Sequence, residues 1–410
     1  MIIINMLEKF IDSWCFVLLL IVVSFMAVWI SYPQILKLAR RWNVMDNPNN
    51  RKLQRNSVPV LGGVAVFIGI LVGMTIVLSV HFQQKLLVIL LAMSLLMAVG
   101  TLDDKFELSV WIRFAIEILV VLGMIMFNGN MIDNFHGVFG LYSIPDFVAL
   151  PLSVFVGVGI INSINMIDGI DGYSSGFIML SCLLFSIVFH ISHIYVFSML
   201  CLVSASSLVP FYLHNVYGKK TKMFIGDGGT LMFGTLMVAL VFSTLRTGSF
   251  CEQLEEHNVS LVALCLSILS VPVIDTLRVM TYRMVKGISP FKPDKTHMHH
   301  IFIDLHFSHV VASSICIMLN GFVLVAWMVS WLIGANVNTQ FVVVCVAMVI
   351  VDPVLYAVLR YHEKRKDTFF NKIRRFSIAV NPERMQFWKW MNRLVDEVEI
   401  EGNASSKANR

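Results

Sequence analysis

Eleven apolar stretches, each long enough or nearly long enough to cross a bilayer, leave this chain little choice of fold. They lie at Trp14–Tyr32, Val58–Val80, Leu86–Leu102, Val110–Phe127, Phe147–Ile164, Tyr173–Phe189, Ile194–Leu213, Met223–Leu245, Val259–Met280, Val310–Ile333 and Phe341–Leu359. A spanning helix needs about 20 mainly apolar residues, because in hydrocarbon every backbone N–H and C=O must be satisfied within the segment. The whole chain of 410 residues agrees: 57% of it is hydrophobic and only 14% charged. The reading is an all-α, polytopic integral membrane protein of about eleven transmembrane helices. The first stretch has no small-residue cleavage site and reads as an anchor.

Charge sets the expected orientation, since Lys and Arg concentrate in cytoplasmic loops. Basic residues crowd the segments after the first, seventh, ninth and eleventh stretches. Examples are Lys37, Arg40, Arg41, Arg51, Lys52 and Arg55, then Lys219, Lys220 and Lys222, then Arg283 and Lys286. The alternate loops are nearly bare, with Lys85 in one and Arg246 in another. This predicts an outside N-terminus and a cytoplasmic C-terminus. Residues 1–361 read as one membrane domain and 362–410 as a polar, basic cytoplasmic tail. The Phe- and Trp-containing part of that tail has two readings, an amphipathic helix on the anionic leaflet or a solvated extension. Seven cysteines show no paired framework and no metal-ligand spacing.

Against this apolar background, five polar clusters fall at helix ends or loops predicted to share one side of the membrane. They are "DNPNNRKLQRNSVPVLGG" (46–63), "DDKFE" (103–107), "NSINMIDGIDG" (162–172), "FIGDGG" (224–229) and "DKTHMHH" (294–300). Neighbouring Asp103 and Asp104 are either a solvated loop pair or a site for a divalent cation. Asn162, Asn165 and Asp168 follow one another at i,i+3 spacing, which on a helix puts them on one face. Asp171 continues that spacing into a turn broken by Gly169 and Gly172. Asp227 stands in a Gly-rich turn at a helix start, where free N–H groups favour phosphate; a plain helix cap has the same appearance. His297, His299 and His300 have no accompanying Cys or second His pair, so contacts to a phosphate or sugar are preferred to a zinc site. Mg²⁺ takes one or two carboxylates and fills its shell with water and substrate phosphates. The clusters therefore read as diphosphate chemistry at a membrane surface, with one soluble and one lipid substrate.

In sequence and order these five motifs resemble the polyprenyl-phosphate N-acetylhexosamine-1-phosphate transferases. The "PVLGG" and "HMHH" forms resemble the branch that uses UDP-N-acetylglucosamine more than the branch that uses a UDP-N-acetylmuramoyl-pentapeptide. Gln54 stands where the family commonly has His, and Met298 where it often has Ile. The resemblance implies transfer of N-acetylglucosamine-1-phosphate, or a related N-acetylhexosamine-1-phosphate, from a UDP-sugar to undecaprenyl phosphate. The products are undecaprenyl-diphospho-sugar and UMP, in the first lipid-linked step of a cell-envelope polysaccharide at the inner membrane. It implies Mg²⁺ as cofactor, with Mn²⁺ as a substitute, and no nucleic-acid partner; a homodimer is left open. Asp103 would deprotonate or orient the lipid phosphate. Asp227 and Asn165 would hold the metal with Asp104 close by, and Asp168 and Asp171 would position the nucleotide and the metal's water shell. Arg113 would neutralise the transferring phosphoryl group, while Asn162, His297, His299 and His300 would contact substrate. Direct attack by the lipid phosphate is preferred to a covalent phospho-sugar enzyme because it needs fewer steps. A pentapeptide-sugar donor is the alternative within the family, and a secondary transporter the alternative outside it. Transporters place such polar residues near the bilayer midplane on broken helices of related halves, whereas here they fall at helix ends.

Overall fold

The computed structural model describes residues 14–47, 57–292 and 294–408, with side chains described up to 397. Arg51, Lys52, Gln54 and Arg55 of the first basic loop lie outside the described residues. Among the described residues ten helices are long and apolar enough to cross a membrane: α1 (Trp14–Arg41), α2 (Gly62–Val80), α3 (Gln84–Phe106), α4 (Val110–Asn128), α5 (Asp146–Met166), α6 (Tyr173–Ile191), α7 (Tyr195–Tyr217), α8 (Gly226–Leu245), α12 (His309–Leu332) and a last span, Val337–Arg365. The last span is α13 (Val337–Val349) joined through a π-helical turn at Ile350–Val354 to α14 (Leu355–Arg365). The chain is a multi-pass membrane protein.

The stretch read as one span at 259–280 is instead broken. It forms α9 (Leu261–Ile268) and α10 (Ser270–Val285), bent by 76°, so the count is ten spans, or eleven if the bent pair is one. The cause is local and then tertiary. Pro272 has no N–H to return to Ile268, so the helix cannot continue through it without loss. Asn320 of α12 repairs the opened backbone: its Nδ2 donates to the carbonyls of Ser267 (3.3 Å) and Ile268 (3.0 Å), and its Oδ1 accepts from the Val271 N–H (3.0 Å) and the Ser270 hydroxyl (2.7 Å). A break at membrane depth needs such replacement partners.

Helix α8 is the axis of the bundle, since its membrane-length window is wholly buried. Its closest neighbour, α3, approaches through Gly100, where a Cβ would collide with the backbone of Asp227 and Gly228. The "PVLGG" segment grips the same helix start. Val58–Pro59 pairs antiparallel with Met45–Asp46, Phe224 donates to the Pro59 carbonyl, and Gly62 and Gly63 donate to the carbonyls of Phe224 and Ile225. These contacts fix the end of α8 that carries Asp227.

The tail folds back on the bundle as α15 (Thr368–Ala379) and α16 (Gln386–Ala408). Phe370, Trp388, Met391 and Val395 are buried, while Phe376, Phe387 and Trp390 are exposed. Both helices are thus amphipathic, and their apolar faces only partly meet protein.

Candidate active site

The polar clusters do converge. A pocket of about 960 Å³ at one end of the bundle is lined by Asp103, Asp104, Asp168, Asp171 and Asp227, with Arg113, His300 and His309, and with Lys219, Lys220 and Lys222 on one wall. The Lys- and Arg-poor loops meet at the other end, where Phe139 N–H donates to Asn338 and Asn258 to the Ala335 carbonyl.

Arg113 organises the acidic side. Its Nη1 lies 3.0 Å from Asp103 Oδ2 and 3.3 Å from Asp227 Oδ2, and its Nε 3.5 Å from Glu117 Oε1. Asp103 also accepts from the Leu108 N–H (2.7 Å). Asp227 takes a second hydrogen bond from Asn165 Nδ2 (2.9 Å), which also reaches Thr230 (2.8 Å). Asp104 accepts from the Asp227 N–H (3.2 Å) and the Gly228 N–H (3.5 Å). It therefore caps α8, where a carboxylate meets the positive end of the helix dipole, and still faces the pocket.

Asn162, Asn165 and Asp168 do not share one helical face. Helix α5 ends at Met166, so Asp168 and Asp171 lie in the turns beyond it. Asn162 is buried and turns away from the pocket to donate to Glu117 Oε2 (2.5 Å). Asp168 opens into the pocket and accepts from Ser174 Oγ (2.6 Å). Withdrawal from bulk water pushes its carboxyl up to about 7, Asp227 and Asp171 add repulsion, and Ser174 opposes the shift. Asp171 is already paired, with Lys222 Nζ at 2.6 Å and His309 Nδ1 at 2.9 Å. Burial raises its carboxyl, but those two partners outweigh burial and hold it below the usual range.

The three histidines also separate. His300 reaches the pocket wall, and burial, with His297 nearby, lowers its ring to about 4, so it is neutral near pH 7. His297 turns inward to Asp275 (2.8 Å). His299 lies beneath Gly169, where a Cβ would strike its ring. Burial holds it far below the usual imidazole range, and neither ring nitrogen has a partner among the described residues. Asp275 in turn contacts Arg278, which reaches Asp352 at 2.5 Å. A buried charge network thus braces the histidine segment (α11, Met298–Asp304) against the last span.

Sequence reasoning missed Glu117. It is fully buried and connects Arg113 to Asn162. The available signal was a lone acid inside an apolar run, four residues after an Arg, since such residues in a span are rare and usually paired.

Among the described residues no group of three His, Cys, Asp or Glu side chains forms a ready metal cage. The carboxylates of Asp103, Asp104, Asp168 and Asp227 that line the pocket are hard oxygen donors, of the kind that Mg²⁺ takes one or two at a time. Beside the pocket runs an apolar groove of about 910 Å³, bounded by α4, α5, α8, α9 and α10. Phe155 and Leu277 on its walls are exposed, so it opens on the flank of the bundle. Arg113 lines the pocket and Phe114, the next residue, lines the groove, so the two have adjoining residues at the start of α4.

The family model described as glycosyl transferase family 4 matches residues 86–244. The undecaprenyl-phosphate alpha-N-acetylglucosaminyl 1-phosphate transferase of Yersinia pestis is 30% identical over 283 residues, which are 66% of this chain and 73% of that protein. The protein of the same name from Escherichia coli K12 is 28% identical over 278 residues, 66% of this chain and 72% of that one. A probable undecaprenyl-phosphate N-acetylglucosaminyl 1-phosphate transferase of Bacillus subtilis is 29% identical over 303 residues, 74% of this chain and 81% of that one. The chain belongs to glycosyl transferase family 4, and within it to the polyprenyl-phosphate phosphosugar transferases.

Proposed function

We propose that this protein transfers N-acetylglucosamine-1-phosphate from UDP-N-acetylglucosamine to undecaprenyl phosphate. The observation that carries the reading is an acidic, Lys- and Arg-bordered pocket with an apolar groove, open to the flank of the bundle, lined by the neighbouring residue of the same helix. The pocket suits a nucleotide diphosphate and the groove an isoprenoid chain. The names of the relatives support the same pair of substrates.

In this reading an oxygen of the lipid phosphate attacks the β-phosphorus of the donor. The bond from that phosphorus to the bridging oxygen breaks, UMP leaves, and a new diphosphate links sugar to lipid. A lipid phosphate with a second pKa of about 6, by analogy with phosphoserine, is mostly dianionic at neutral pH. Asp103 then mainly orients it and takes any remaining proton. Arg113 stands between Asp103 and Asp227 and faces the charge that builds up during transfer; preorganised cations of this kind are the main lever in phosphoryl transfer. Asp227, with Asp168 opposite, would hold Mg²⁺, which supplies charge neutralisation on the diphosphate when bound. Asn165 orients Asp227, and Asp104 holds the helix start beneath it. His300 offers a neutral hydrogen-bonding group, while His297 and His299 hold its segment in place.

Two experiments test this. Purified protein in detergent should release UMP from UDP-N-acetylglucosamine only when undecaprenyl phosphate is present, stop in EDTA, and resume with Mg²⁺ or Mn²⁺. Turnover confined to another UDP-sugar would replace the donor, and full turnover in chelator would remove the metal. The loop charges support a pocket at the cytoplasmic face of the inner membrane, with the N-terminus outside. A single cysteine near Gly140 should react with an impermeant label from outside, and one near Lys220 only after permeabilisation; the opposite pattern contradicts this orientation.

A further inference from the structure

The C-terminal helix reaches the back of one pocket-lining loop through Asp396. The loop from α7 to α8 carries Lys219, Lys220 and Lys222, all of which line the pocket. Asp396 of α16 places a single carboxylate oxygen against three successive backbone N–H groups of that loop, those of Lys219 (3.1 Å), Lys220 (3.1 Å) and Thr221 (3.3 Å), and against the Thr221 hydroxyl (3.1 Å). Its second oxygen lies 3.4 Å from the Lys219 N–H. Successive N–H groups in a turn form a nest that favours an anion, and among the described residues these three amides have no other acceptor. The loop carbonyls are held from the opposite side by α1, with Tyr32 donating to Thr221 O (2.9 Å) and Arg40 to Lys220 O (2.6 Å). Helix α16 is itself seated, with Trp388 against Tyr217 at 4.5 Å between ring centroids and Val395 fully buried.

We propose that α16 is a positioning strap: by filling the amide nest, Asp396 fixes the lysine wall of the pocket in the conformation that receives the nucleotide diphosphate. Three lysines within four residues repel one another, and a fixed anion behind their backbone opposes that repulsion without entering the pocket. Asp396 does not line the pocket, so it is a positioning residue and touches no substrate. The inference rests on reading that pocket as a nucleotide-sugar site.

The test uses the full-length protein in detergent, as wild type, Asp396→Asn and Asp396→Glu. Amide hydrogen exchange at residues 219–221 should accelerate in Asp396→Asn. Its affinity for UMP should fall by about threefold to tenfold, the size of one ordinary hydrogen bond's net contribution, because Asp396 acts on the site only through the loop. Asp396→Glu, which keeps the charge, should lie between the two, and all three proteins should elute as the same species in size exclusion. Unchanged exchange overturns the strap, as does faster exchange with unchanged UMP affinity. Tighter UMP binding in Asp396→Asn also overturns it, because the tail would then be competing with the nucleotide for the nest. A wild-type protein that fails to bind UMP defeats the nucleotide reading together with the strap, whereas a wild type that binds UMP alongside any of those overturning results in Asp396→Asn defeats the strap alone.

Discussion

Asp103→Asn is expected to lower turnover by about 10²–10⁴-fold, the usual cost of losing a positioned acid–base group, and added Mg²⁺ should recover none of it. Asp227→Asn should lose a comparable amount, but raising Mg²⁺ should return part of it. The two residues share one guanidinium yet face different partners. Asp103 is held by Arg113 and the Leu108 N–H at the end of α3. Asp227 is held by Arg113 and Asn165 at the start of α8, and Asp168 lines the same pocket. Asparagine at 227 keeps the size of the side chain and loses the charge that attracts a hard cation, so that defect is partly one of affinity. Asparagine at 103 removes a group assigned to the acceptor, whose place Mg²⁺ cannot take. A Mg²⁺ titration of both variants reads the difference. Rescue of Asp103→Asn without rescue of Asp227→Asn would exchange the two roles.

Arg113→Ala should cost about 10²–10³-fold in kcat, the range seen when one preorganised electrostatic donor is removed from a transition state. Arg113→Lys should recover only part, since one ammonium cannot hold Asp103, Asp227 and Glu117 at once in the fork that a guanidinium provides. Glu117→Gln separates positioning from charge. It leaves Arg113 in place but replaces the buried carboxyl beside Nε and weakens the link to Asn162. Its expected effect is a smaller fall in kcat, with donor KM little changed. In the double variant the two losses should not add, because residues joined by an ion pair couple. Full additivity of Arg113→Ala and Glu117→Gln would show that Glu117 does not act through Arg113.

Much of this architecture is legible in the chain because a membrane protein must announce its spans as apolar runs and its aqueous site as the exceptions to them. The runs located the ten spans found among the described residues, and the polar clusters at 103–107, 162–172, 224–229 and 294–300 all reach one end of the bundle. What escaped depends on partners distant in sequence. The break between α9 and α10 is tolerated because Asn320, about fifty residues on, caps the opened backbone. The i,i+3 spacing of Asn162, Asn165 and Asp168 predicted one face, but the helix stops at Met166 and Glu117 draws Asn162 inward. The "HMHH" segment was read as one set of contacts. Asp275 and Gly169 sort its rings into two that brace and one that faces the pocket. The tail offered only an amphipathic pattern, and nothing in that pattern points from Asp396 to three amides in the loop from α7 to α8.

The claim that a phosphosugar, and not the sugar alone, moves from nucleotide to lipid is tested most directly by following the β-phosphorus. UDP-N-acetylglucosamine labelled with ³²P at that position would be incubated with the purified protein, Mg²⁺ and undecaprenyl phosphate, and the organic and aqueous phases separated. The account predicts that the label enters the lipid phase with the sugar in equal amounts, and that the nucleotide product is unlabelled UMP. Label retained in aqueous UDP while the sugar enters the lipid would contradict it, because bond cleavage would then lie between sugar and phosphate and the pocket would be catalysing a different reaction.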